Sequence, residues 1–293
     1  MIFVPTLPHL RYSYGLLATL IHGLPMAEMD PGRHGEASAD ADTRARLERV
    51  SKVALLGYNQ AIGDCDPARL ALVLDFIEPD LRPFAYEGAG LGLMILDLCT
   101  PWGGGRTGRF LEQVPAFPEL VCIGAGQALA VFRRPLAPFL ARIPARGQGP
   151  AVDGYGFYSA FFRAAATLER HEVPRAVPPE RLAEFDAGVG RSLWFSQAAR
   201  PEAIAARISG APAPRQAGLW AGVGFAATYA GGVDEPVLSA LRALADVSAL
   251  ARGATAAVLL RHDGGDPTPR GRLAARVLCG ATPEQLVAAR AGA

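Results

Sequence analysis

The feature that most constrains this chain is a Gly-x-Gly pair that keeps returning. "YEGAGLGLMILD" (86–97), "CIGAGQALAVFR" (122–133), "VDGYGFYSAFFR" (152–163), "FDAGVGRSLWFS" (185–196) and "LWAGVGFAATYA" (219–230) are variants of one block. Their first glycines, Gly88, Gly124, Gly154, Gly188 and Gly222, are separated by 36, 30, 34 and 34 residues. Weaker copies flank them: "LLGYNQAIGD" carries Gly57 and "LARGATAAVLLR" carries Gly253, each 31 residues away. A phosphate-cradling loop is a single feature placed after one strand. A motif repeated along the chain with no strand pattern before it is not a nucleotide fingerprint, and G-x-x-x-x-G-K-[ST] does not occur.

With the first glycine of each unit as position zero, position +2 is Asn59, Gly90, Gly126, Gly156, Gly190, Gly224 and Thr255. On a helix, +4 shares the face of zero and +2 lies about 200° away. The helix is then thin on two opposite sides. Glycine costs a helix interior up to about 1 kcal/mol relative to alanine, so its repetition implies neighbouring helices approaching from both sides. Segments 67–77, 106–114, 135–143, 178–185, 201–210 and 236–247, several with proline in the first turn, read as second helices between them. The expected fold is all-α, about seven helical-hairpin repeats of 30–36 residues forming a toroid or a compact solenoid. Tetratricopeptide and ankyrin signatures are absent.

The chain of 293 residues, half of them apolar, divides by this pattern into an N-terminal extension (1–42) and a single repeat domain (43–293). Residues 27–44 are polar and expected to be poorly structured, and Met26 and Met29 are candidate natural starts. A net charge of +1 gives no basic footprint for nucleic acid; Lys52 is the one lysine. Cys65, Cys99, Cys122 and Cys279 stand far apart and read as small, buried, inert thiols in a reducing, cytoplasmic setting. No apolar run reaches the length of a membrane span; an amphipathic helix for a membrane surface could come only from residues 10–25.

Polar residues stand out on the inner helices. Glu87 and Asp153 occupy position −1 and Asp186 position −2, while Gln60, Gln127 and Arg191 share +3, on the same face as −1. A charge inside an apolar helix must be paired, solvated or turned toward a cavity. Asp153 and Asp186 read most simply as N-caps. Position +9, which includes Asp97, Arg133, Arg163 and His262, reads as the helix end. Glu87, Asp153 and Arg191 are the candidate catalytic residues: a shielded carboxylate acts as an acid, and the arginine orients it or an anionic substrate. Gln127, Tyr158, Trp194, Trp220, Tyr229 and Asp97 are candidate substrate contacts, and the aromatic ones, with Phe157, Phe161 and Phe225, serve equally as core. No metal or cofactor is expected: D-D-x-x-D, D-x-D-D, H-E-x-x-H and G-x-S-x-G are all missing. The aspartate pairs of "GDCDPARL" and "RHDGGDP" read as loops or caps.

Taken together, "LLGYNQAI", "RPFAYEGAGLGLMILD", "IGAGQALAVF", "DGYGFYSAFF", "FDAGVGRSLWF" and "LWAGVGFAATYAGG" resemble a family of uncharacterised proteins encoded beside bacterial polyketide synthases, best known from enediyne clusters. The resemblance covers roughly residues 43–260 and leaves out 1–42. It implies a role in natural-product biosynthesis beside a polyene-forming synthase and brings no catalytic residues. Gln127 stands where the family pattern leads us to expect tryptophan. Two readings follow. In the first, the protein binds a hydrophobic polyene-like intermediate in a helical lumen and helps cyclise, isomerise or tailor it. In the second, it is a non-catalytic helical-repeat carrier or docking protein for biosynthetic partners.

Overall fold

The computed structural model describes residues 40–100, 104–265 and 268–292. Among them every regular element is helical: α1 (Ala41–Gly63), α2 (Pro67–Asp75), α3 (Arg82–Cys99), α4 (Arg106–Gln113), α5 (Pro118–Val131), α6 (Ala137–Leu140) and α7 (Ala145–Phe162) form the first half. The second half is α8 (Leu182–Ser196), α9 (Pro201–Ser209), α10 (Ala213–Tyr229), α11 (Glu235–Leu244), α12 (Val247–Asp263), α13 (Pro269–Ala274) and α14 (Pro283–Ala291). Short π turns follow α7 and α13. None of these helices is long and apolar enough to cross a membrane.

The helices begin where the local chemistry says they should. Asp66, Asp234 and Asp246 accept hydrogen bonds from the first-turn amides of α2, α11 and α12, and Thr282 forms a capping box with Gln285 at α14. Asp40 caps α1 through the amides of Asp42 and Thr43, so the end of the polar 27–44 stretch is ordered helix; residues 27–39 and the amphipathic candidate at 10–25 lie outside the described residues. Two expected outer helices differ. The segment 135–143 shrinks to the single turn of α6, because Pro135, Pro138 and Pro144 interrupt it. The segment 178–185 is a 3₁₀ turn, Pro179–Arg181, running straight into α8: Leu182, Phe185 and Val189 continue one apolar period with no breaker between them.

The long helices α1, α3, α5, α7, α8, α10 and α12 lie side by side in that order, each packed on the one before and the one after. The glycines make this possible. A methyl group on Gly124, Gly154, Gly188, Gly222 or Gly253 would collide with a main-chain carbonyl of the preceding inner helix, and one on Gly90, Gly126, Gly156, Gly190 or Gly224 with a carbonyl of the following one. Zero thus faces backward and +2 faces forward. Gly57 collides with Ala85 of the following helix, so it is a +2 glycine and the true zero of the first unit is Leu55. The alignment of that unit on Gly57 is therefore two residues out of register, and Gln60 falls at +5 rather than at +3 with Gln127 and Arg191. The weak copies stand at the ends of the row among the described residues: α1, the first of these inner helices, carries Leu55 at zero, and α12, the last, carries Thr255 at +2.

The row is an open superhelix rather than a closed ring. Five inner helices complete a turn, so the end of α10 meets the start of α1 and the end of α12 meets the start of α3. Thr43 Oγ1 donates to the Gly232 carbonyl (2.7 Å) and Arg46 Nε to that of Ala230 (2.9 Å). Arg261 Nη2 donates to the carbonyls of Asp80 (3.1 Å) and Tyr229 (2.7 Å). The Asp80 carboxylate lies 2.6 Å from Arg46, 3.1 Å from Arg270 and 3.7 Å from Arg261, joining three segments at the closure of the turn.

Candidate functional site

Four inner helices bring polar side chains at position −1 or +3 together. Glu87 comes from α3, Gln127 from α5, Asp153 from α7 and Arg191 from α8. Arg191 Nη1 donates to both oxygens of Glu87 (3.1 and 3.2 Å), and Gln127 Nε2 donates to Glu87 Oε1 (2.6 Å). Arg191 Nη2 lies 2.9 Å from Asp153 Oδ1, an ion pair whose angles fall short of a hydrogen bond. The guanidinium carbon sits 4.4 Å from the centre of the Phe157 ring, a cation–π arrangement. Glu87, Gln127 and Arg191 are buried; Asp153 keeps 18% of its side chain accessible and forms the open edge of the cluster.

One guanidinium faces two carboxylates, and this sets the protonation. Burial pushes the Asp153 carboxyl up from an ordinary 3.8 to about 6, with Arg191 opposing and the Glu87 charge adding to the rise. Burial pulls Arg191 down, but Asp153 and Glu87 more than offset it, so the arginine is held charged. Asp153 therefore carries a proton for part of the time just below neutral pH, at a position that faces out of the cluster. Beside the cluster lie half-buried aromatic rings: Phe157, over which Arg191 sits, stacks on Phe161 (5.5 Å between centroids) and meets Phe195 edge-on (5.9 Å). Phe195 was not singled out from the sequence, although it stands one helical turn beyond Arg191 on the same face.

Residues 15–291 match the family described as "Protein of unknown function (DUF1702)". The chain belongs to that family. The match reaches beyond residues 43–260 at both ends, so part of the segment set apart as an extension lies within the DUF1702 region. No curated protein and no solved structure matches the chain.

The remaining candidates of this DUF1702 protein fall elsewhere. Asp97 is engaged within the fold. It accepts from the amides of Arg106 and Thr107, the Thr107 hydroxyl and Arg106 Nη1, and so caps α4 from the end of α3. Trp194 is fully buried with its Nε1 on the Gly231 carbonyl (3.1 Å), and Trp220 is buried as well; both are core. Tyr158 lies apart from the cluster, against Phe162 and beneath Arg163. Tyr229 stacks on Phe225 (5.2 Å) and is held at the closure of the turn by Phe84 and Arg261. Neither Asp153 nor Asp186 is an N-cap, because α7 and α8 begin eight and four residues earlier. Asp186 is instead paired with Arg215 of α10, whose Nε and Nη2 both contact its carboxylate; burial raises its pKa while Arg215 opposes. Position +9 does mark helix ends: Arg163 Nη2 donates to the last carbonyls of α5, those of Ala130 and Val131. Of the cysteines, Cys122 is buried, Cys65 and Cys279 partly so, and Cys99 is exposed, unlike the buried thiol expected. Among the described residues no three His, Cys, Asp or Glu side chains are grouped to hold a metal ion.

Proposed function

We propose that this protein is an accessory component of enediyne-type polyketide biosynthesis that binds a hydrophobic, polyene-like intermediate along the inner face and isomerises or cyclises it. The observation that carries this reading is the meeting of Glu87, Gln127, Asp153 and Arg191 beside the half-buried rings of Phe157, Phe161 and Phe195. The resemblance of the repeat blocks supplies the biosynthetic setting. Aromatic faces suit a flat, polarisable chain and stabilise positive charge on it.

Asp153 then serves as the acid. Its O–H bond breaks as a C–H bond forms at one carbon of the polyene, leaving a delocalised cation against the rings and a carboxylate held by Arg191. Return of a proton from another carbon to that carboxylate shifts the double bond. Attack by a remote double bond before that return closes a ring. Glu87 and Gln127 position Arg191 and do not touch the chain. The test is deletion of the gene in its own host, with profiling of accumulated polyenes and reintroduction of variants. Deletion is expected to accumulate the unmodified polyene, and Asp153→Asn and Arg191→Ala to leave it unprocessed. Full restoration by both variants would overturn the catalytic assignment.

A second reading, docking of biosynthetic partners, is favoured by α2 and its end, where Leu72 is 62% and Phe76 is 90% exposed. A strain carrying Leu72→Ser and Phe76→Ser separates the two: loss of product there, with Asp153→Asn fully active, selects docking.

A further inference from the structure

The ends of α5 and α7 meet at a corner rich in arginine. Residues 120–152 hold four arginines, Arg133, Arg134, Arg142 and Arg146, and neither aspartate nor glutamate. Arg163 Nη2 donates to the Ala130 carbonyl (3.0 Å), to which the Arg133 amide also donates (3.2 Å), so Arg133 and Arg134 stand beside Arg163. Arg163 and Arg133 both act on the buried Tyr155 hydroxyl, whose pKa burial raises and these two charges pull back. Among the described residues none of the three pairs with a carboxylate, and the acids of the following loop, Glu169 and Glu172, both act on Arg170. Arg163 is engaged by the carbonyls that end α5, whereas Arg133 and Arg134 are exposed.

A continuous line of rings joins this corner to the inner cluster. Phe157, beneath Arg191, stacks on Phe161, and Phe161 meets Phe162 edge-on (5.0 Å). Phe162 in turn lies against Tyr158 (4.7 Å), over which Arg163 sits (5.5 Å). The line passes from half-buried at Phe157 to 49% exposed at Phe162. From Asp153 to Phe162 the α7 axis rises about 14 Å.

We propose that the polyene-like ligand of the inner face bears an anionic group at one end, which Arg133 and Arg134 hold while the chain follows the rings of α7 toward Asp153. Exposed guanidiniums with no carboxylate beside them attract an anion, and the aromatic path that starts at the same corner suits a flat apolar chain attached to it. The anionic end then fixes direction: it stays at the surface, and the carbon presented to Asp153 lies about 14 Å along the chain. This inference rests on the inner-face reading above and adds to it the class of ligand and its orientation.

Equilibrium dialysis of the full chain with all-trans-retinoate, and with retinol as its uncharged match, tests this by polyene absorbance. Retinoate is expected to bind at least about tenfold more tightly than retinol. Arg133→Gln and Arg134→Gln together are expected to weaken retinoate about tenfold and leave retinol unchanged. Arg207→Gln, at an exposed position of α9, is expected to change neither, and Phe161→Leu to weaken both. Asp153→Asn is expected to keep the preference for retinoate, so the anionic end is judged apart from the acid chemistry. Retinol bound as tightly as retinoate, a preference that survives the double variant, its loss in Asp153→Asn, or an equal loss in Arg207→Gln overturns the anionic end and leaves the inner-face reading standing. Undiminished binding in Phe161→Leu overturns the path along the rings, and binding of neither polyene overturns both readings.

Discussion

Arg191 shows how one side chain ties three helices together: it spans from α8 to Glu87 on α3 and Asp153 on α7, with Phe157 of α7 beneath it. The charge excess in this cluster has a measurable signature. Asp153 titrates at about 6 in the folded protein against 3.8 ordinarily. Below pH 3.8 it is protonated in both states. As pH rises toward 6 the unfolded chain ionises first, so stability is lost over that window, on the order of 3 kcal/mol in all. Asp153→Asn cannot ionise and leaves Arg191 paired with Glu87 alone. Its melting temperature relative to wild type is therefore expected to rise between pH 4 and pH 7; a flat difference would show that Asp153 is not perturbed. Much of this cluster was legible in the sequence, because positions −1 and +3 lie one helical turn apart and must share a face. The partners of Asp97 and Asp186 were not, since Arg106, Thr107 and Arg215 belong to other helices.

At the scale of the element, glycine is a spacing device whose meaning depends on what approaches it. Gly188 sits against the Asp153 carbonyl, whereas Gly108 on the exposed face of α4 has nothing within 4 Å. The same change to alanine is expected to have opposite signs. Gly188→Ala should destabilise by about 3 kcal/mol or more as α7 and α8 are forced apart. Gly108→Ala should stabilise by up to about 1 kcal/mol through helix propensity alone. Chemical denaturation of the two variants checks both. Asp97→Ala removes the cap of α4 and leaves the largely buried Arg106 without its carboxylate, so a loss of about 2 kcal/mol is expected in the same assay. The inner helices were readable because their glycine period repeats. The outer ones were less so: α6 is a proline-bounded turn and the 178–185 segment joined α8, outcomes set by breakers and by unbroken apolar period rather than by repeat spacing.

For the molecule as a whole, the decisive contact is the closure of the superhelical turn. Asp80, in the loop before α3, holds Arg46 of α1, Arg261 of α12 and Arg270 of α13. Replacing it with asparagine removes the carboxylate that the three arginines share, two of them buried. Because Asp80 is itself partly exposed, a loss of about 2 kcal/mol is expected rather than the larger penalty of a fully buried pair. Hydrogen exchange should accelerate together in the first turn of α1 and the last turn of α12, while the middle of α5 stays protected. Independent opening of the two ends would argue against Asp80 as their common tie.

The sequence by itself determined that the chain is a row of thin, closely spaced helices, because a glycine cost repeated at hairpin spacing is tolerated only where neighbouring backbones touch. It also determined which polar residues share the inner face, since that follows from the helical period. Only the tertiary structure decided that the row stays open and turns once every five inner helices, because closure depends on Asp80 meeting arginines up to 190 residues away. The same long-range geometry placed Glu87 against Arg191, 104 residues apart. No local pattern encodes such pairings, which exist only once the helices have been laid side by side.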